Sequence, residues 1–122
     1  MTVGIASGVA NSTLDSIFGT TFVKLHTADP GAAGATAAAA GDTTRKAATM
    51  ASASGGSKAM TGTAGPWTNG GTLETISHIS LWTASTAGTF NLSGALSASQ
   101  AWVSTNTLTL TSLSVSFTPI AA

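Results

Sequence analysis

The sequence predicts an all-β protein: an antiparallel β-sandwich, jelly-roll-like, with a short N-terminal helix. Three observations predict it. After residue 19 the apolar residues fall into short alternating runs, Gly-rich turn segments separate those runs, and near the C-terminus the alternation changes parity inside one run. The parity change is the most specific of the three. In 107–118, Leu108 and Leu110 sit at even positions while Leu113, Val115 and Phe117 sit at odd ones. A strand has a side-chain period of two, so an unbroken strand cannot hold both sets on one face. A bulge or corner is therefore expected at Thr111-Ser112, where the chain passes from one sheet to the other.

The elements follow in order. Val9, Ala10, Leu14, Ile17 and Phe18 recur at helical spacing, with Asn11 or Ser12 as a cap and Gly19 as a stop. Residues 1–19 are read as a helical arm that either covers an open end of the core or docks on a neighbour, and 20–122 as the sandwich domain. Thr20 to Thr27 alternates Phe22, Lys24, His26 against Val23, Leu25, Thr27, and Ala28-Asp29-Pro30-Gly31 carries turn chemistry. Residues 31–44 hold Gly, Ala and Thr with Asp42 and no large apolar anchor, which reads as a long surface loop. Arg45 to Met50 and Lys58 to Gly62 read as strands joined through Ser54-Gly55-Gly56-Ser57, and 65–71 as an irregular segment with an Asn-Gly turn. Leu73 to Thr83 is apolar on both parities, as a central strand should be, and Gly88 to Leu96 alternates through Phe90 and Leu92.

Composition narrows the functions. One domain is expected from 122 residues, and 43% hydrophobic content with no net charge is the opposite of a disordered chain. The whole basic inventory is Lys24, Arg45, Lys46 and Lys58, too little to neutralise a phosphate backbone, so no nucleic-acid partner is expected. No apolar run is long enough for a membrane helix, the first basic residue is Lys24 rather than part of a leader, and the chain reads as a soluble product. With charged residues at 7% the surface has little to keep copies apart. A molecule that lives inside an assembly is the expectation.

Chemistry is sparse. General acid–base work needs a positioned pair of titratable groups; the acids are Asp15, Asp29, Asp42 and Glu74, three of them in or beside turns or helix, Asp29 is best read as a turn residue, and none is expected to be catalytic. His26 and His78 meet only if their strands are neighbours, and the chain has no cysteine and no His-x-x-x-His, so neither a metal nor another cofactor is expected. There is no Gly-x-Ser-x-Gly elbow, and Gly55-Gly56-Ser57-Lys58 lacks the upstream glycine of a phosphate loop. The sequons at Asn11 and Asn91 carry no weight without a leader. Trp67, Trp82 and Trp102 could line a sugar platform, with Trp67, in a Gly-Pro segment, the candidate surface contact.

The block Leu25-His26-Thr27-Ala28-Asp29-Pro30-Gly31, followed by Arg45-Lys46-Ala47 and then by His78-Ile79-Ser80-Leu81-Trp82, resembles a family of small tailed-phage virion proteins. The resemblance runs from about Phe18 to Phe117 and departs from the family pattern at Ala37 to Thr44. It implies a non-enzymatic, β-rich component on the particle exterior, assembled in the host cytoplasm. Expected partners are further copies of itself, a trimer being one form, and capsid or tail proteins. The leading expectation is a homo-oligomeric capsid decoration protein, because no heptads or collagen-like repeats are present to build a shaft. The alternatives are a minor tail or tail-fibre protein that touches the host, and a carbohydrate-binding module using Trp67.

Overall fold

The computed structural model describes residues 3–118. One helix, α1 (Ser7–Ile17), precedes eight strands: β1 (Thr21–His26), β2 (Lys46–Ala48), β3 (Ser57–Ala59), β4 (Ala64–Thr68), β5 (Glu74–Trp82), β6 (Phe90–Trp102), β7 (Thr107–Leu110) and β8 (Ser114–Ser116). The larger sheet has the order β2-β1-β5-β6, and two smaller ribbons pair β3 with β8 and β4 with β7. Every pairing is antiparallel. The expected sandwich is what forms, with Val23, Leu25, Ile79 and Leu81 of the large sheet packed in one core with Trp67 of β4 and Leu110 of β7.

The corner falls where the parity changes. β7 ends at Leu110, β8 begins at Ser114, and the two strands belong to different ribbons, which lets Leu110 and Val115 both face inward. Strand β5 is interior, as its apolar residues on both parities require. The hairpin at Ser54–Ser57 closes with reciprocal backbone bonds of 2.8 and 3.0 Å. Gly55 and Gly56 both have positive φ, the geometry a two-residue hairpin needs to match strand twist.

Several expectations change. The segment 65–71 is not wholly irregular: Gly65, Pro66, Trp67 and Thr68 belong to β4, and the register shift between Ala64 and Trp67 accommodates a proline that cannot donate to the ladder. The loop at 31–44 is anchored after all. Ala38 bridges His26, Ala39 N donates to Leu25 O at 3.0 Å, and Ala39 is fully buried. Glu74 grips the same loop by accepting from Ala40 N and Gly41 N at 3.1 and 2.8 Å. Finally, α1 buries a narrower stripe than its apolar spacing suggests: Ala10, Leu14 and Phe18 face the core, whereas Val9 and Ile17 are exposed.

Neither Asn11 nor Ser12 caps the helix, whose N-cap is Ala6 with no side-chain bond. Tertiary bonds hold it instead, as expected for a helix this short. Asn11 Oδ1 accepts from Gly56 N at 2.8 Å, and Asp15 Oδ1 accepts from Ala53 N at 2.8 Å and from Lys58 Nζ at 2.6 Å. The Lys58 ammonium is buried and also donates to Ala51 O. The helix thus closes one end of the core, sharing Leu14 and Phe18 with it.

Candidate functional site

The two sequence blocks that stand out, 25–31 and 78–82, come together on neighbouring strands. In the β1–β5 ladder His26 lies opposite His78, Lys24 opposite Ser80 and Phe22 opposite Trp82, so these six share one face of the sheet. Leu25 and Leu81 point the other way into the core, both fully buried. Segment 27–40 then folds back over the His26 face. Asp29 Oδ1 accepts from Gly31 N at 2.9 Å, Pro30 is buried with its carbonyl accepting from Thr36 N, and Thr27 Oγ1 reaches Ala37 O at 3.3 Å. Ala28 stays exposed.

Beneath this clasp runs a chain of three polar side chains. His26 Nδ1 lies 2.9 Å from Thr36 O, His26 Nε2 lies 2.7 Å from Ser80 Oγ, and Trp82 Nε1 donates to Ser80 Oγ at 2.7 Å. A carbonyl only accepts, so Nδ1 carries the proton and Nε2 of the neutral ring accepts from the Ser80 hydroxyl. Every donor then has one acceptor, in the single direction Trp82 to Ser80 to His26 to Thr36. Burial holds the His26 imidazole below its usual range, and the nearby Lys24 and His78 charges push it the same way, against the Thr36 carbonyl.

A serine hydroxyl beside an imidazole also has the spacing of a nucleophile and its base. Here the arrangement is structural. Ser80 and His26 are both fully buried, the hydroxyl already accepts from an indole, and the second imidazole nitrogen is held by a backbone carbonyl rather than a carboxylate. His78 is half-buried, with Nδ1 2.8 Å from the Ser77 hydroxyl. Among the described residues no group of three His, Asp or Glu could hold a metal ion, and no helix is long and apolar enough to cross a membrane.

At the half-buried end of the clasp two aromatic rings meet at a tilt. The Trp82 and Phe90 ring centroids are 5.4 Å apart, and the Arg45 guanidinium sits 3.7 Å over the Trp82 ring. Arg45 Nη1 also donates to Ala84 O at 3.0 Å and Ala87 O at 2.6 Å, pinning the bend before β6. Gly34, with φ +69°, lies flat against Phe90, and a methyl there would come 2.7 Å from Cγ and Cε1 of that ring. Gly34→Ala is therefore expected to destabilise the protein by about 1–3 kcal/mol through overpacking. A lowered urea midpoint at unchanged slope checks this.

Trp67 is not a surface contact. Its side chain is fully buried and its Nε1 donates to Thr44 O at 3.0 Å, because β4 pairs with β7 and turns the indole inward. Trp102 is buried as well, donating to Asn106 O, and the half-buried Trp82 carries the Arg45 guanidinium over its ring. Sequence reasoning missed the roles of Ser80, Asn69 and Glu74. Ser80 was findable, since it lies between His78 and Trp82 at the same parity. Asn69 Nδ2 donates to Trp102 O at 3.0 Å while its Oδ1 accepts from Gly71 N and Thr72 N, a role that only the tertiary fold reveals.

Residues 7–118 match the family described as Podophage GP4 fiber I protein gp80. No curated protein matches the chain. A β-sandwich whose conspicuous side chains are absorbed in holding it together, matched over nearly its whole length to fibre proteins, defines a structural protein of a bacteriophage virion. The chain belongs to the podophage GP4 fiber I protein gp80 family.

Proposed function

We propose that the chain is a non-enzymatic, homo-oligomeric fibre subunit on the particle exterior, carried at the tail and joined there to other tail proteins. The observation that carries this reading is the match of residues 7–118 to a fibre family. It is supported by a body whose distinctive residues serve packing. A capsid decoration role is the second reading, favoured by a compact chain without heptads or collagen-like repeats. Gold-labelled antibody against the chain, imaged on intact particles in negative stain, separates the two. Label confined to the tail end is the expected result, and label spread over the head would establish decoration instead.

A further inference from the structure

Among the described residues strand β6 is the outermost strand of the large sheet, and β7 and β8 each pair on one side only. These three unpaired edges border a groove of about 890 Å3, whose walls include the half-buried Leu92, Leu96, Leu108, Leu113 and Val115. β6 is 13 residues long and contains neither a charge nor a proline. Natural sheets guard such edges with lysine, proline, bulges or short strands, because an unguarded row of N–H and C=O groups is a template for another strand. β6 does bulge against β5: between Ala95, opposite His78, and Gln100, opposite Ile76, residues 96–99 face Ser77 alone, and a second register shift falls between Phe90 and Leu92. These bulges bend the strand, and its outer row of N–H and C=O groups has no partner strand among the described residues. Ser93, Ala95, Ser97, Ser99 and Ala101 are all exposed.

Charge singles out the occupant. All eight formal charges lie at or before Glu74, and 75–118 contain no Asp, Glu, Lys or Arg. A partner with a charged surface would lose hydration here with no ion pair to offset it. The uncharged half of another copy meets no such penalty and brings unpaired strand edges of its own.

We infer that the free edge of β6, with the groove it shares with β7 and β8, is the surface through which a second copy of this chain docks by strand addition. The inference rests on the homo-oligomer reading above and specifies its interface. The test is size-exclusion chromatography with light scattering on the full chain and on the Ser97→Lys/Ser99→Lys variant. Ser85→Lys/Thr86→Lys, on the exposed bend before β6, serves as a charge-matched control. The wild type and control are expected to run as one oligomer, and the edge variant, folded by circular dichroism, at the monomer mass. Hydrogen exchange on the unmodified oligomer gives a reading independent of the variants: amides of 93–101 are expected to be protected and those of 83–88 not. A wild-type oligomer that survives both edge lysines, or that leaves 93–101 unprotected, overturns this surface while leaving the fibre assignment standing. A monomeric wild type overturns self-association itself, whatever the antibody label shows.

Discussion

Replacing Trp67 with alanine is expected to destabilise the fold by about 3–5 kcal/mol, the range for emptying a buried tryptophan site. The indole is fully buried at the centre of the core cluster, and its removal also leaves Thr44 O without a donor. The measurement is urea unfolding followed by circular dichroism, since two other tryptophans complicate fluorescence. A large drop in midpoint with an unchanged slope is expected. A variant as stable as the wild type would mean that the indole stands outside the core, as its Gly-Pro surroundings in the sequence suggest.

Ser80→Ala is expected to act through the groups it abandons. Two partners lose their bonds at once, the half-buried Trp82 indole N–H and the fully buried His26 Nε2, and the latter alone is expected to cost about 1–3 kcal/mol. The same network makes stability depend on pH. His26 is held neutral in the folded state, so the unfolded chain binds more protons as pH falls below about 6.5, and stability declines there. Protonation would also give Nε2 a hydrogen and turn the Ser80 hydroxyl away from it. Urea midpoints taken at pH 7.5, 6 and 5, values spanning about one unit either side of the histidine range, should fall steadily for the wild type. They should fall much less for His26→Gln, which has no proton to gain. The Asp15 tie to α1 responds in a separate, more acidic window. Its bond from Lys58 holds the carboxyl below its usual range, so its contribution is present above about pH 4 and is lost only as pH falls through that lowered value.

Local pattern made the architecture legible. The alternation in β1, the two-sided apolarity of β5 and the parity switch between Leu110 and Leu113 each report a single strand's surroundings, and all three matched the fold. What stayed hidden depended on partners distant in the chain. The loop at 31–44 has no large apolar residue to advertise its burial, because backbone bonds to β1 and the Glu74 carboxylate hold it. Trp67 looked exposed because glycine and proline precede it, yet pairing with β7 decides where it points. For the site, the two conspicuous blocks were visible as residues. That they make one clasp followed only from the register that sets His26 opposite His78.

That register also governs how the chain comes into being. His26 and Ser80 are separated by 54 positions, and Asp15 reaches Lys58 across 43. Closing such long spans before any pairing compensates for the lost chain entropy is slow. A nascent polypeptide leaving the ribosome would therefore hold its helix without the Lys58 tie, and its first strand without β5, until each of those segments had cleared the exit tunnel. The speed of that closure, and not only the final stability, then governs how quickly the native sandwich forms.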